Sequence, residues 1–262
     1  MFYLFYLGRA AVKLYWVMVG LGIGAGFILF YFQAKAKGLP KRKIISFYLL
    51  GTLFVLIGTR LFYLLSTKPV IFFREPAKIF SLTDIYWEGG VSVYGGVLGG
   101  FLFMLWFCRR NKIPVWKLAD LVTPSIILAV TLVRLGCFFN GCCYGKPTDL
   151  AWGMVFRDPR VFAPKNILLH PVQLYEAGGN LILFLYFWRK RKDMKFPGEL
   201  SLKYAFVYNA LRIITEFFKH PVFRYRNSPF TFSQFLALGI LIASALTLRM
   251  RGRKNPSTPN IN

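Results

Sequence analysis

Five charged side chains lie inside long apolar segments of this chain: Arg60, Arg134, Glu176, Arg212 and Glu216. Charges are costly within a bilayer, and those found there usually mark a functional site. At a rise of about 1.5 Å per helical residue, the set gathers in one half of the membrane. Arginines that converge in a low-dielectric recess suit a phosphate group, which the guanidinium fork binds bidentately. The sequence therefore predicts an anion site that opens toward the outer leaflet.

A plainer interpretation of these charges is mutual neutralisation. Arg212 and Glu216 are four residues apart, a spacing that places both on one face of a helix. Arg60 has Glu88 as a candidate partner, whereas Arg134 has no acidic residue within four positions on its own segment. Ion pairing and ligand binding stay open for the two pairs, and Arg134 favours ligand binding.

The four cysteines do not form the framework of a disulfide-rich domain. Cys108 stands alone, while Cys137, Cys142 and Cys143 cluster near position 140. Cys142 and Cys143 are adjacent and lack the two-residue spacing of a zinc-binding pair, so no metal site is predicted. Buried packing thiols are the favoured interpretation. A Cys137–Cys142 disulfide and a covalent intermediate on Cys142 are the alternatives.

His170 precedes a proline where an apolar segment begins. A hydrogen bond at the start of a helix is the favoured interpretation, and a role as proton acceptor is the functional alternative. The segment WEGGVSVYGGVLGG contains three pairs of glycines. Such small residues predict either close packing of two helices or a groove beside a lipid.

These residues must be positioned by membrane-spanning helices. The chain has 262 residues, of which 56% are hydrophobic and 17% are charged, against about 25% charged residues in soluble domains. Its apolar runs are long enough to cross roughly 30 Å of hydrocarbon. They predict an all-α integral membrane protein with about seven transmembrane helices, at residues 14–33, 44–66, 90–108, 118–139, 171–188, 200–218 and 231–248. We expect one transmembrane domain over residues 1–249, with a small periplasmic head at about 140–170.

The net charge of +24 is concentrated in short loops between the apolar runs. Such clusters set topology and bind anionic membrane lipids, and no nucleic-acid partner is expected. They place the N-terminus outside, and a disordered basic tail, residues 250–262, in the cytoplasm. The start MFYLFYLGRAAVK has its apolar patch before its first charges, which is the reverse of a signal peptide. It predicts an interfacial arm that lies on the bilayer.

Three motifs, together with Tyr15 and Arg60 on the first two segments, resemble the bacterial prolipoprotein diacylglyceryl transferase family. RLGCFFNGCCYGKP resembles its R-x-G-x-F-x-N-G-x-x-x-G signature, with Arg134, Asn140 and Gly145 in place. HPVQLYE resembles H-P-x-Q-L-Y-E, and YNALRIITE resembles Y-x-x-x-R-x-x-x-E. The resemblance covers nearly the whole chain, and the motifs follow one another in the family's order.

The resemblance implies a transferase of the bacterial inner membrane. Its substrates would be phosphatidylglycerol and prolipoprotein signal peptides. The diacylglyceryl group would form a thioether with a cysteine, glycerol phosphate would be released, and no cofactor is expected. The candidate catalytic residues are Arg134, Arg212, Tyr94 and His170. The candidate substrate-binding residues are Arg134, Asn140, Gly145, Tyr15, Arg60, Tyr208 and Glu216.

Two features depart from the family pattern. Tyr94 stands where many members have the histidine of His-Gly-Gly, and tyrosine is a poor base at neutral pH. Cys137 and Cys142 replace an asparagine and a glutamate of the signature. The general base is therefore left open. The alternatives are a family member with another acceptor or no activity, and a small-molecule transporter. The sequence lacks the inverted repeats that many transporters have.

Overall fold

The computed structural model describes residues 4–7, 10–67, 92–158, 160–220 and 230–254. At residues 4–7, 10–12, 67 and 254 it describes the backbone alone. These ranges contain seven α-helices and four short strands. The helices are α1 Leu14–Ala36, α2 Lys41–Thr67, α3 Val93–Asn111, α4 Val115–Asn140, α5 Val172–Lys190, α6 Glu199–Phe218 and α7 Phe232–Lys254. The strands are β1 Leu4–Leu7, β2 Ala10–Lys13, β3 Met154–Val155 and β4 Leu168–Leu169.

Each predicted apolar segment coincides with one of the seven helices. Four helices are long and apolar enough to cross a membrane, over Leu14–Ala36, Lys41–Ser66, Val115–Asn140 and Phe232–Arg253. The other three have 19 or 20 residues and carry charged side chains, which lower their hydropathy. Two of these three, α5 and α6, carry acidic and basic residues of the predicted site. The all-α membrane class is confirmed, and the count of seven spans stays a prediction.

Large apolar side chains point away from the protein along most helices. Ile28 and Phe32 on α1, Leu49 on α2, Phe101 on α3 and Ile182 on α5 are each more than half exposed. Soluble proteins rarely expose contiguous apolar surface on this scale. The hydrocarbon of a bilayer is the environment that accepts such a surface without cost.

The chain divides into two compact units, one made of Met1–Phe30 and Ala119–Asn262 and the other of Tyr31–Leu118. In the second unit, α2 packs closely on α3 through glycines. A Cβ atom on Gly99 would lie 2.6 Å from the Phe54 carbonyl oxygen, and side chains at Gly58 and Gly95 would collide with each other's backbone. The close-packing interpretation therefore holds for Gly95 and Gly99, while residues 89 and 90 lie outside the described ranges.

In the first unit, α6 packs against α5 on one side and α7 on the other. Ile127, Phe187, Leu200 and Tyr204 form a buried core between α4, α5 and α6. Asp120 on α4 fixes the start of α6, because its carboxylate accepts hydrogen bonds from the backbone N–H groups of Gly198 and Ser201, at 2.6 and 2.9 Å. A helix start has unpaired N–H groups, and an acidic side chain satisfies and stabilises them.

The connection between α4 and α5 is folded. Strands β3 and β4 pair antiparallel, and Phe138, Phe156, Val161, Ala163 and Leu169 form its core. Backbone hydrogen bonds also join this connection to the end of α6. The Lys146 N–H donates to the Phe218 carbonyl at 2.8 Å, and the His220 N–H donates to the Tyr144 carbonyl at 3.1 Å. The predicted head is thus a packed element, and its domain limits stay predictions.

The two ends of the chain are described in part. The predicted interfacial arm contains an antiparallel β-hairpin, β1 with β2, in which Leu4 pairs with Lys13 and Leu7 with Ala10. Helix α7 continues to Lys254, so the segment predicted as a tail begins within a helix. The remainder of that segment, residues 255–262, lies outside the described ranges, and its predicted disorder stays a prediction.

Candidate functional site

Glu176 is the centre of a buried charge cluster. Its Oε2 atom is 2.6 Å from Nε of Arg134, and its Oε1 atom forms an ion pair with Nη1 of Arg212. Only 4% of Glu176 and 8% of Arg134 are exposed. Three different helices, α4, α5 and α6, supply these side chains. Arg134 thus has an acidic partner 42 positions away in sequence, on a different helix.

A second carboxylate extends the cluster along α6. Arg212 Nη2 is 3.2 Å from Glu216 Oε2, which confirms the predicted pairing four residues apart. Lys219 Nζ lies 3.9 Å from the same oxygen, and the Thr231 hydroxyl donates to Glu216 Oε1 at 3.2 Å. Three cations face two carboxylates, so the cluster retains one positive charge. Such a cluster can bind an anion while both of its own carboxylates stay paired.

Arg134 is oriented but not saturated. Its Nε atom binds Glu176, while its two terminal nitrogens donate no hydrogen bond to any side chain in the described ranges. Glu176 is itself held on α5, since Asn180 donates to its backbone carbonyl at 2.7 Å and accepts from Tyr204 at 3.2 Å. The two terminal nitrogens of Arg134 could therefore make a bidentate contact with a phosphate.

Asn140, the last residue of α4, is also suited to a ligand. It is 8% exposed, and its side-chain oxygen accepts no hydrogen bond from the described residues. A buried polar atom without a partner costs about 1–3 kcal/mol. Its backbone carbonyl, in contrast, accepts from the Phe162 N–H at 3.2 Å. The side-chain oxygen of Asn140 can accept a hydrogen bond from a hydroxyl or thiol of a bound molecule.

Three cysteines meet beside this cluster. The sulfur atoms of Cys137, Cys142 and Cys143 all lie within 4.8 Å of one another. Hydrogen bonds from the other two thiols, helped by the charges of Lys219 and Arg134, hold the pKa of Cys143 well below its ordinary value. Hydrogen bonding with its neighbours and burial raise the pKa of Cys142 well above it. Of the two thiols on the loop after α4, Cys143 therefore has the lower pKa.

The end of α4 explains why these sulfurs converge. Gly141 has φ +64° and its N–H donates to the Phe138 carbonyl at 3.1 Å, while the Cys142 N–H donates to the Cys137 carbonyl at 3.2 Å. These two bonds are a Schellman cap, which folds the second residue after a helix back onto its last turn. The glycine in NGCC is the sequence signal for this proximity, which C-x-x-C spacing does not detect.

Two predicted tyrosines lie in the same unit as the cluster. Tyr15, on the first turn of α1, packs against Gly136, where an added Cβ would lie 3.2 Å from the Tyr15 carbonyl oxygen. Its phenol interacts electrostatically with Arg134 and the three cysteines. Tyr208 on α6 interacts in the same way with Arg134 and Arg212. Both hydroxyls therefore lie within the field of the charge cluster.

Gly145 and His170 hold the folded connection together. The Gly145 N–H donates to the His170 carbonyl at 3.1 Å, and the His170 N–H donates to the Lys146 carbonyl at 3.0 Å. His170 Nδ1 is 3.3 Å from the Tyr175 hydroxyl, which itself accepts from the Trp152 indole. Tyr175 is then best placed to donate to Nδ1. These contacts fit the interpretation of His170 as a hydrogen-bonding residue at the start of a helix.

Arg60 and Tyr94 belong to the other compact unit. Arg60 on α2 is 5% exposed, and its guanidinium lies 5.9 Å from the ring centre of Tyr63. Its predicted partner Glu88 lies outside the described ranges. Tyr94, on the first turn of α3, has its ring centre 6.3 Å from that of Phe62. The roles predicted for Arg60 and Tyr94 stay predictions.

The second unit also contains a basic recess of about 350 Å³, lined in part by Arg42, Lys43, Trp106 and Arg110. None of the predicted site residues lines it. Its cations belong to the basic clusters that the sequence assigns to loops between spans.

Exposed apolar helices around buried arginines define a multi-pass integral membrane protein with a site suited to an anionic group. A sequence model of a family described as prolipoprotein diacylglyceryl transferase matches residues 3–250. The chain belongs to the prolipoprotein diacylglyceryl transferase family.

Curated relatives carry the name phosphatidylglycerol–prolipoprotein diacylglyceryl transferase. The Clostridium tetani protein is 35% identical over 230 residues, which cover 87% of this chain and 88% of the relative. The Cupriavidus metallidurans protein is 33% identical over 226 residues, covering 82% of this chain and 79% of the relative. The Bordetella avium protein is 33% identical over 219 residues, covering 82% and 80%. The resemblance noted in the motifs is thereby confirmed.

Proposed function

We propose that this chain transfers the diacylglyceryl group of phosphatidylglycerol to the cysteine thiol of prolipoprotein signal peptides. Family membership and the names of its relatives support this function. The observation that carries it is the arginine pair, Arg134 and Arg212, held on Glu176 with one positive charge in excess. An anionic phospholipid headgroup is the ligand that matches this charge inside a membrane.

The reaction is a displacement at the glycerol carbon that bears the phosphate ester. The acceptor sulfur forms a C–S bond with this carbon, and the C–O bond to phosphate breaks. The electron pair leaves with glycerol phosphate, and the product is a thioether. A thiolate is a far better nucleophile than a thiol, and the leaving group is already an anion. The protein must therefore align sulfur with carbon and stabilise the charge that develops on the phosphate.

Each predicted residue has a role in this scheme. Arg134 and Arg212 bind the phosphate, and Glu216 orients Arg212 through the ion pair of 3.2 Å. Asn140 and Tyr208 hydrogen-bond the headgroup. Tyr15 and Tyr94 would line the lipid entrance, and His170 is the candidate acceptor for the thiol proton. Arg60 and Gly145 are the remaining candidate substrate-binding residues.

The proposed topology follows from the basic clusters. Seven spans in the bacterial inner membrane would leave the N-terminus outside and the C-terminus in the cytoplasm. Basic residues concentrate on the cytoplasmic side of such proteins, and α7 ends in the basic run Arg249, Arg251, Arg253 and Lys254. A reporter enzyme that is active only in the cytoplasm, fused after Asn262, tests this orientation. Activity supports it, and a silent, stably expressed fusion contradicts it.

The activity is tested with purified protein, phosphatidylglycerol labelled in its acyl chains and a peptide that carries a lipoprotein signal motif. We expect label to appear on the peptide, and no label on a matched peptide with serine in place of cysteine. Folded, lipid-bound protein that transfers no label would overturn the proposed acceptor. Complementation of cells depleted of their own enzyme would then separate an inactive relative from one with another acceptor.

A further inference from the structure

The three clustered cysteines are the chemical feature that the proposed reaction does not yet use. Their sulfurs lie within 4.8 Å of one another. Cys137 is buried in the last turns of α4, while Cys142 and Cys143 are half-buried. Cys143 holds the left-handed backbone conformation, with φ +58°, which non-glycine residues rarely adopt. The chain therefore keeps these sulfurs together in a geometry that ordinary packing of small thiols does not require.

The arrangement fits a soft metal ion. Zinc binds thiolate at about 2.3 Å in tetrahedral sites, so sulfurs that share a zinc are about 3.8 Å apart. Side-chain rotations that move the sulfurs about one ångström or less closer together would bring them to this separation. Three protein ligands leave one tetrahedral position open, as in catalytic zinc sites. Cys142 and Cys143 are half-buried as residues, so the open position would lie on their side of the group.

The surrounding charges also fit. Three thiolates around Zn²⁺ carry a net charge of −1, which together with the net charge of +1 on the ion cluster makes the site neutral before the phosphate binds. Arg134 and Lys219 both interact electrostatically with Cys143. The Gln173 amide fixes the loop by donating to the Cys142 carbonyl at 2.8 Å. Groups that orient and neutralise metal ligands in this way are what a built metal site requires beyond its ligands.

We propose that Cys137, Cys142 and Cys143 bind a zinc ion, and that its fourth position receives the thiol of the acceptor cysteine. This inference rests on the proposed function for its second half. A thiol that binds zinc loses its proton outright. The proton passes to water, and the bound thiolate attacks the glycerol carbon beside Arg134. The C–O bond breaks with its electron pair on glycerol phosphate. The neutral thioether is a weaker ligand than thiolate, so the product dissociates.

This site would remove the need for a dedicated base. Tyr94 is a poor base at neutral pH, and the visible hydrogen bonds of His170 already involve Tyr175. Metal coordination is an established way to activate a nucleophile. The thiol would then be activated by the metal, and the phosphate stabilised by arginine, at neighbouring positions of one unit.

The test begins with the metal content of the full-length enzyme, purified in detergent without chelator. We expect about one equivalent of zinc. After chelation, Co²⁺ replaces zinc as a spectroscopic probe, because thiolate ligands give it an intense near-ultraviolet charge-transfer band. Cys137→Ser and Cys142→Ser should lose the band and weaken zinc binding more than about tenfold. Cys108→Ser is the matched control, since Cys108 is a buried free thiol of the other unit.

Metal binding and label transfer are measured on the same samples. Loss of transfer on chelation, with recovery on adding zinc, supports the full proposal. Full transfer by metal-free enzyme overturns it and leaves the proposed function standing. Bound zinc without any transfer contradicts the proposed function and leaves the metal site standing. A disulfide between any two of the three cysteines in active enzyme, found by mass spectrometry, also overturns the metal site. Thermal unfolding of each variant separates ligand loss from misfolding.

Discussion

Replacing Glu176 with glutamine should lower the free energy of unfolding, because Glu176 is at the centre of the buried charge cluster. The carboxylate faces Arg134 on one oxygen and Arg212 on the other, and its side chain is 5% exposed. Glutamine keeps the size of the side chain but leaves Arg134 with no carboxylate partner among the described residues, while Arg212 keeps Glu216. Removal of one partner from a buried ion pair costs about 3–5 kcal/mol, because the remaining charge is left uncompensated.

The matched control is Asp158→Asn. Asp158 also binds an arginine, with an oxygen 2.7 Å from Arg160 Nη2, but the Arg160 side chain is 52% exposed. Exposed pairs contribute about 0–1 kcal/mol. Both variants remove one negative charge and form one neutral amide. Their difference in unfolding free energy therefore reports burial of the pair and not net charge.

The assay is unfolding of purified protein in mixed micelles with increasing denaturing detergent, followed by circular dichroism. We expect Glu176→Gln to lose at least about 2 kcal/mol more than Asp158→Asn. The double variant Glu176→Gln/Arg134→Gln should recover part of this loss, because it removes the buried charge that Glu176→Gln leaves without its carboxylate partner. Equal stability of Glu176→Gln and the control, or no recovery in the double variant, would refute a buried cluster centred on Glu176.

Four further substitutions probe the proposed reaction and its scaffold. Arg134→Lys keeps the charge but loses the fork, so label transfer should fall roughly 10- to 100-fold in kcat/KM, with unfolding unchanged within about 1 kcal/mol. Asn140→Ala removes an oxygen that accepts no hydrogen bond from the described residues; KM for phosphatidylglycerol should rise about tenfold without loss of stability. Gly145→Ala places a Cβ 2.5 Å from that of His170 and should cost about 1–3 kcal/mol of stability. Tyr94→Phe removes one hydroxyl and should lower kcat/KM about tenfold at unchanged stability; unchanged kinetics would remove Tyr94 from the site.

The helices could be predicted from the sequence because each carries its own signal. A run of apolar residues is a local property, and all seven runs coincide with helices. Their ends were less accurate, since basic residues such as Lys41 and Lys254 continue a helix beyond its apolar part. The pairing of Arg212 with Glu216 was predicted for the same reason, because both partners lie on one turn of one helix.

The centre of the site could not be predicted in this way. Glu176 was recognised as a buried acid, but its partners are 42 and 36 positions away, and no periodic pattern encodes which helices meet. The thiol cluster could be predicted more easily than the ion pairs of Glu176 but less easily than the helices. Its proximity follows from a local cap at Gly141, which depends on a positive φ angle. A glycine one position after a helix should therefore be checked for side chains that it brings together.

The backbone bonds that join residues 144–146 to residues 218–220 have a mechanical consequence. Lys146 and His220 each contribute an N–H to this junction, which ties the loop after α4 to the last turn of α6. Arg212 lies on α6 six residues before Phe218, and Cys142 and Cys143 lie on the loop just before Tyr144. A headgroup that displaces Arg212 would therefore also act on the loop that carries Cys142 and Cys143. Binding of a lipid headgroup at Arg212 would therefore be coupled to the positions of the two thiols through these backbone hydrogen bonds, without any change of secondary structure.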